Sequence, residues 1–298
     1  MDVVAWLLHG DPAICYQTLR DLTDADSSTL AATRARIANE GVAADILAHQ
    51  EPDGVWRCAD EPDWLPTLCH AVLLRRTDID PADARASIDR LQAGFRWADE
   101  FGALPFCDGE AEPCINGHAL SVGSYFGHPS ERLVRRLLAD QLADGGWNCD
   151  APSSNVASYH STICVLEGLL AYERAVGGAP DVAAARERGE TYLLERGMFR
   201  RRSTGGLAHE TFTAFAYPPR YHYDVLRGLD HLRDAGRAPD SRLADAIALV
   251  EQGRHADGTW HLDRSHPDAL AFRWPEQVGE PSRWNTLRAL RVLRWYHG

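Results

Sequence analysis

One seven-residue pattern occurs three times in this chain of 298 residues and constrains its fold more than any other feature. The pattern is Q/R-x-x-D-G-x-W, and its copies occupy residues 50–56, 141–147 and 254–260. The gaps between the copies are about twice the length of a helical-hairpin repeat, so degenerate copies are expected inside them. Residues 102–104 (GAL) and 205–207 (GGL) lie in these gaps and keep the glycine and an apolar residue of the pattern. The chain is therefore an array of repeated units.

An apolar run with helical spacing follows each turn, and a more charged amphipathic stretch precedes it. The apolar runs are residues 64–75, 115–125, 159–172, 221–232 and 284–295, with 16–22 as a sixth. The amphipathic stretches are residues 2–9, 29–49, 83–97, 130–141, 181–195 and 241–253. No long stretch alternates apolar and polar residues, so strands are not expected. The pattern predicts one all-α domain over residues 1–298, a closed (α/α)6 toroid with the apolar helices as its inner wall.

Charge and composition exclude several classes of function. The chain carries 31 Lys+Arg against 43 Asp+Glu, a net charge of -12, which disfavours nucleic acid and anionic membranes as partners. All of the cations are arginine, so Schiff-base lysines and lysine-containing phosphate loops are excluded. The seven cysteines are an odd number in a chain without a signal-like start or a membrane span. We expect a reducing, cytoplasmic location.

The repeated turn resembles the QW repeat of triterpene cyclases such as the squalene-hopene cyclases and of their relatives, the protein prenyltransferase β subunits. This resemblance implies an α/α barrel with an apolar central cavity. The aspartate motifs D-x-D-D and D-D-x-x-D of terpene cyclases and synthases are missing from this sequence. In the repeat itself, the glutamine and tryptophan are expected to tie a helix to a turn, and the glycine to permit that turn.

The resemblance to prenyltransferase β subunits also implies a zinc site. Their D-x-C and tyrosine-histidine segments correspond here to Glu112-Pro113-Cys114 and to residues 159–169 (YHSTICVLEGL), which contain His160. Cys149 follows the second turn directly and is expected at the same rim. Two thiolates, an imidazole and Glu112 are suitable ligands for Zn²⁺. The alternative is that these cysteines are small buried residues of the cavity wall, and Cys114 with His118, one helical turn on, is a rival pair.

Two further groups of residues lie at predicted helix starts, and we expect them at the same rim of the toroid as the zinc ligands. His222 and Asp224, with Tyr223 between them, are candidate catalytic residues, since an imidazole beside a carboxylate suits general acid-base chemistry. The alternative makes Asp224 a helix-capping charge and His222 a packed ring. The candidate substrate-binding residues form an aromatic collar with one arginine, which also suits ordinary packing: Trp64, Tyr159, Arg220, Tyr221 and Trp284.

These observations predict a zinc-dependent enzyme that acts on a small, largely apolar, isoprenoid-like substrate in a central cavity. Zinc would serve there as a Lewis acid or as the activator of a nucleophile. Two alternatives use the same fold. One is a non-catalytic barrel that binds a hydrophobic ligand, and the other is a barrel with a purely structural zinc.

Overall fold

The computed structural model describes residues 2–110, 112–267 and 269–298, and most of them lie in α-helices. The helices are α1 (Val3–Leu8), α2 (Pro12–Leu22), α3 (Ser27–Arg34), α4 (Gly41–Ala48), α5 (Trp64–Arg76), α6 (Pro81–Gly94), α7 (Pro113–Tyr125), α8 (Glu131–Ala139), α9 (Tyr159–Val176), α10 (Pro180–Leu194), α11 (Val225–Asp234), α12 (Ala244–Gln252) and α13 (Arg283–His297). Short 3-10 helices cover Asp99–Phe101, Phe106–Asp108, Glu210–Thr213 and Ser241–Leu243. Two-residue strands β1 (Trp260–His261) and β2 (Pro281–Ser282) pair antiparallel. The all-α prediction is confirmed.

The apolar runs of the sequence form six helices that we call the core helices: α2, α5, α7, α9, α11 and α13. Along the chain α5 contacts α7, α7 contacts α9, α9 contacts α11, and α11 contacts α13. The last core helix, α13, packs in turn against the first, α2. Gln17 of α2 then donates a hydrogen bond of 2.9 Å to the carbonyl of Arg76 at the end of α5. Every core helix therefore has a core neighbour on each side.

The tryptophan of each repeated turn joins the helix before it to the core helix after it. The indole N–H groups of Trp56, Trp147 and Trp260 donate to the carbonyls of Ile46, Leu137 and Val250 at 2.7, 2.7 and 2.6 Å. Their backbone N–H groups donate to the hydroxyls of Thr67, Thr162 and Thr286, each in the following core helix. All three indoles are fully buried. The structural interpretation of the repeat is thus correct in hydrogen-bonding detail.

The glutamine of the turn hydrogen-bonds to the amphipathic helix of the next repeated unit. The Gln50 amide donates to the carbonyl of Gly54 within the turn and to that of Ser87 in α6, at 2.8 and 2.9 Å. Gln141 repeats this arrangement with Gly145 and with Ala185 in α10. Gly54 has a φ of 90°, and a Cβ there would lie 2.4 Å from the Arg90 backbone. Only glycine fits so close to the next helix.

The third turn packs against the beginning of the chain. A Cβ on Gly258 would lie 2.8 Å from Cγ2 of Val3 in α1, just as the first turn abuts α6. The side chain of Arg283, at the start of α13, lies over the Trp6 ring of α1 with its Cζ 4.4 Å from the ring centre. The N-terminal helix therefore occupies the position, relative to the third turn, that α6 occupies relative to the first.

Several helix boundaries differ from the prediction, and two of these differences have a clear local cause. The stretch 29–49 is divided into α3 and α4, because Gly41 has a φ of 70° and Asp11 accepts a hydrogen bond from the Val42 N–H at 2.8 Å. The fifth core helix begins at Val225 rather than at residue 221, because the Asp224 side chain caps it. Residues 220–222 therefore precede this helix.

No helix in the described part of the chain combines the length and the apolar character that a membrane crossing requires.

We expect Gln50→Ala to lower the free energy of unfolding by about 1–3 kcal/mol, because it leaves two carbonyls without their amide partner. Urea denaturation followed by circular dichroism measures this change. Gln277→Ala is the matched control, since Gln277 is exposed and its side chain makes no hydrogen bond to any described residue. Equal midpoints for the two variants would contradict the role assigned to Gln50.

Candidate metal and substrate site

A cavity of about 820 Å³ extends along α5 and opens among the first turns of α7 and α9. Its wall is completed by residues 95–101, after α6, and 218–221, before α11. The lining is mainly apolar and includes Leu65, Leu68, Val72, Leu73, Phe95, Trp97, Phe101, Ile115 and Leu270. The size and the composition are those of a site for a small organic molecule.

Glu112, Cys114 and Cys149 line this cavity and lie close enough to share a metal ion, with their ligand atoms within 4.8 Å of one another. The two Sγ atoms are 3.0 Å apart, and the Cys114 Sγ is 3.6 Å from Oε2 of Glu112. The Glu112-Pro113-Cys114 segment and Cys149 therefore lie close together, and their side chains form a cluster that could hold a metal ion.

Local structure explains why these three side chains converge. Pro113 opens α7, which places Cys114 in its first turn and Glu112 just before it. The Asn116 side chain holds the preceding segment, accepting from the Glu110 N–H and donating to the Glu110 carbonyl. Cys149 lies two residues beyond the buried Trp147, and its N–H donates to the hydroxyl of Ser161 in α9 at 3.2 Å. The second repeated turn thus delivers Cys149 to the start of α7.

The donor set fits zinc. At ordinary Zn–S and Zn–O bond lengths, tetrahedral geometry places two sulfurs about 3.8 Å apart and a sulfur and an oxygen about 3.6 Å apart. The Cys114 to Glu112 distance of 3.6 Å already matches, and the sulfurs need to separate by less than an ångström. Two thiolates and one carboxylate leave a fourth position for water or substrate.

The proximity of the two thiols controls their ionisation. The Cys114 thiol lowers the pKa of Cys149, and the same contact, followed by burial, raises the pKa of Cys114. The pair therefore loses its first proton at Cys149 and holds the second strongly. A divalent cation would supply the positive charge that two adjacent thiolates need.

His160, the predicted imidazole ligand, lies outside this group. Its Nδ1 accepts a hydrogen bond from the backbone N–H of Tyr223 at 2.8 Å. In a neutral ring, Nε2 then carries the proton, so neither nitrogen has a free lone pair for a metal. Burial, followed by the charge of Arg227, lowers the pKa of His160 to about 4. It lines the cavity as a neutral ring.

The structure assigns capping and packing contacts to the predicted acid-base group. Asp224 is buried, accepts hydrogen bonds from the N–H groups of Arg227 and Ala216, and lies 3.5 Å from Nη2 of Arg288. The Tyr223 hydroxyl donates to the carbonyl of Met198. None of the described atoms of Tyr223 or Asp224 lines the cavity.

His222 stacks on His266, with ring centres 3.9 Å apart, and lies 5.7 Å from the His160 ring. Burial, followed by the neighbouring His266 and His160, lowers the pKa of His222 to about 3. The ring does not line the cavity, whereas its stacking partner His266 does. This contact supports the packed-ring alternative for His222.

The predicted collar is divided between the cavity and the core. Trp64, Arg220 and Tyr221 line the cavity, and Trp64 and Tyr221 remain partly exposed at 37% and 45%. Tyr159 is buried and donates its hydroxyl proton to the Arg200 carbonyl. Trp284 stacks on Tyr217 with ring centres 4.6 Å apart and belongs to a different cavity.

Sequence reasoning assigned no role to three aromatic residues of this wall, Phe95, Trp97 and Phe101. They lie between α6 and the degenerate turn at 102–104, in a stretch that the pattern extended as helix as far as residue 97. The signal that could have found them is the aromatic density of the sequence FRWADEF at 95–101.

His118 is the most unusual polar group of the cavity. It is 4% exposed, and neither ring nitrogen has a hydrogen-bond partner among the described residues. It lies one turn beyond Cys114 on the same face of α7 and reaches further into the cavity wall. Burial, followed by the charge of Arg227, lowers the pKa of His118 to about 3. At neutral pH it is an uncharged ring with one donor and one acceptor unused.

Carboxylates dominate the charge of the cavity. Five acidic residues line it against three arginines. The acidic residues are Asp63, Glu100, Glu110, Glu112 and Asp150. This field favours a cation at the rim and disfavours an anionic substrate there.

Comparisons of the chain with protein-family models, with curated proteins and with solved structures give no match.

We expect acid destabilisation to depend on His118. The unfolded ring titrates near pH 6.5 but the folded ring only near pH 3, so the unfolded state binds more protons between these values and stability falls as the pH decreases. His118→Gln should make the loss between pH 6.5 and pH 4.5 shallower, by up to about 1.4 kcal/mol per pH unit. Urea titrations across this range measure the slope. Gln277→Ala, at an exposed position without an ionisable group, should keep the wild-type slope.

Proposed function

We propose that this protein is a zinc-dependent enzyme of the terpene cyclase and prenyltransferase type that acts on a small, largely apolar, isoprenoid-like molecule. The observation that carries the proposal is the convergence of Glu112, Cys114 and Cys149 on the edge of a mainly apolar cavity. A thiolate-rich ligand set selects zinc over magnesium or calcium. Three protein ligands with one open position are typical of catalytic rather than structural zinc.

We also propose the closed (α/α)6 toroid as the architecture. Two observations support it: α13 packs against α2, and the third repeated turn abuts α1 as the first abuts α6. In a closed ring, the chain ends must meet in this way, because the last hairpin needs the first as its neighbour. The cavity then lies at the end of the ring where α5, α7 and α9 begin.

Zinc bound there would supply a Lewis acid and a means of activating a nucleophile. The chain's own residues do the rest. The Ser161 hydroxyl lies 3.2 Å from both the sulfur and the backbone nitrogen of Cys149. These two contacts would hold the Cys149 side chain in the orientation that a zinc ligand needs. The apolar wall of Leu68, Val72 and Ile115 displaces water from the substrate.

His118 has the contacts of an orienting residue rather than of a general base. A pKa near 3 makes it a weak proton acceptor at neutral pH. Its buried, unpartnered ring nitrogens instead favour a ligand that carries a hydroxyl or carbonyl oxygen. We therefore propose that the substrate pairs one polar oxygen with His118 and leaves its hydrocarbon part against the aromatic wall.

The acidic lining argues against a substrate that carries a diphosphate at this rim. A neutral isoprenoid alcohol, aldehyde or ketone has the required polarity. We also propose that the protein is cytoplasmic, because a thiolate site needs reduced cysteines. Neither nucleic acid nor membrane is part of it, consistent with the net charge of -12.

Elemental analysis of protein purified without chelators, in the presence of a reductant, tests the metal. We expect close to one zinc per chain in the wild type. Cys114→Ser and Cys149→Ser should each reduce the content to a small fraction, since each removes a thiolate ligand. Cys58→Ser is the matched control, because Cys58 is a free cysteine outside the group. Absence of zinc from the wild type, or equal zinc in all variants, would refute the site.

Two further measurements distinguish the alternatives. If the zinc is structural, its removal by a chelator should lower the melting temperature by many degrees, and the protein that stays folded should still bind the ligand. A non-catalytic binding protein would hold its ligand equally well with and without zinc. The proposed enzyme requires that zinc removal abolish turnover without unfolding the chain.

Binding of geraniol, a neutral ten-carbon isoprenoid alcohol, tests the cavity. Leu68→Trp should weaken geraniol binding at least about 10-fold, since a larger side chain fills the space between Val72 and Ile115 and overpacking excludes the ligand. Quenching of tryptophan fluorescence reports binding. Val278→Trp adds the same fluorophore at an exposed position away from the cavity and should bind geraniol as the wild type does. Unchanged affinity in Leu68→Trp would exclude this cavity as the binding site.

A further inference from the structure

A second cavity, of about 390 Å³, lies among the later turns of the core helices. All six core helices contribute to its wall, among them α2 through Gln17, α7 through Ser124 and Tyr125, and α13 through Trp284. Arg76 is part of the wall of both this cavity and the first.

The charge of this second cavity is opposite to that of the first and of the whole chain. Eight arginines line it against four carboxylates, in a protein whose net charge is -12. Two more carboxylates, Asp21 and Asp224, pair with these arginines from outside the lining. Counting every described carboxylate that pairs with them still leaves the arginines in excess by two.

The excess of arginine over carboxylate can be traced to particular side chains. Arg76 and Arg227 both donate to Oε2 of Glu167, each at 2.7 Å, so one carboxylate serves two guanidinium groups. Arg75 has no ion pair with any described residue. Arg288 is 4% exposed, and its Nη2 makes no hydrogen bond within the described part of the chain.

Burial makes this arrangement costly without a further anion. A buried guanidinium N–H that lacks an acceptor loses its hydration with no compensation. The Nε atoms of Arg75 and Arg76 have no acceptor in the described structure, and Nη2 of Arg288 has only the Asp224 carboxylate at 3.5 Å, which is longer than a good hydrogen bond. Burial, followed by the charge of Arg76, lowers the pKa of Arg75, and burial also lowers the pKa of Arg288. The Tyr125 ring lies 5.9 Å from Cζ of Arg75, and the charges of Glu167, Asp234 and Asp78 act on this cation from beyond ion-pair distance.

From these contacts we infer that the second cavity is a binding site for a small, multiply charged oxyanion of the phosphate or dicarboxylate class. The guanidinium fork of Arg75, beside that of Arg76, presents N–H donors in the geometry that such oxygens accept in pairs. Arg288, from α13, supplies a further buried donor to the same cavity. The volume admits an anion of several heavy atoms and excludes a polymer. The inference is independent of zinc and of the first cavity.

Titration calorimetry with inorganic phosphate and with succinate, at constant ionic strength in chloride, tests the site. We expect saturable binding of at least one of these probes, with one site per chain. Arg75→Gln should weaken it about 10-fold or more, because a charge-assisted pair of hydrogen bonds is lost. This variant removes an arginine without an ion-pair partner, so we expect it to fold as the wild type does. Arg36→Gln is the matched control, since Arg36 pairs with Glu40 on an exposed surface.

Each outcome has one meaning. Binding of phosphate alone identifies the phosphate class, binding of succinate alone the dicarboxylate class, and binding of both a general oxyanion site. If Arg75→Gln fails to fold, Arg75→Lys keeps the charge, loses the fork, and should still weaken binding. Failure of both probes to saturate the wild type, or full affinity in the folded Arg75 variants, overturns the site. Zinc content and geraniol affinity should be unchanged in Arg75→Gln, so its result does not depend on the proposed enzyme.

Discussion

The bond from each repeated-turn tryptophan to the carbonyl of the preceding helix fixes the positions on which both cavities depend. This bond sets how far a hairpin folds back before its core helix begins, and the threonine bonded to the same tryptophan sets where the core helix starts. Cys149 lies two residues beyond Trp147, so its distance from α7 follows from that geometry. A site formed by a turn that also organises the core is held more rigidly than one on a free loop.

The repeat explains which parts of the candidate site could be predicted from the sequence. Cys114 and His160 stand at matching starts of neighbouring core helices, and Cys149 directly follows a repeated turn, so the repeat predicted that all three lie close together. The prediction was not met by His160, whose Nδ1 is occupied by the backbone of Tyr223. That backbone belongs to residues 217–224, which have no counterpart in the other units. A cis bond at Tyr217-Pro218, a φ of 47° at Arg220 and the Asp224 cap define their path. Periodicity carries no information about such a segment.

The second cavity was hidden from sequence reasoning for a different reason. Its arginines are distributed over five core helices. In the hydrophobic pattern of the sequence, each of these arginines is a single charged position within an apolar run. Charges of this kind usually lie on solvated faces. Their convergence depends on the contact between α13 and α2, which brings Arg291 within hydrogen-bond distance of Gln17, 274 residues away in the chain. Long-range charge clusters appear only when the packing partner of each helix is known.

Helix direction accounts for part of the contrast between the two cavities. The first cavity touches the N-terminal turns of α5, α7 and α9, whose partial positive charge favours carboxylates such as Asp63 and Glu112, although it also extends along α5 as far as Arg76. The second touches the C-terminal turns of α2, α5 and α7, whose partial negative charge favours Arg20, Arg75 and Arg76. Yet a helix end is worth only about half an elementary charge, and its effect fades within one turn. Burial and the adjacent Arg76 still lower the pKa of Arg75 despite the C-terminal end of α5. The helix ends therefore favour some of these arginines, and they leave Nε of Arg75 without a hydrogen-bond acceptor and Nη2 of Arg288 with only the Asp224 carboxylate at 3.5 Å.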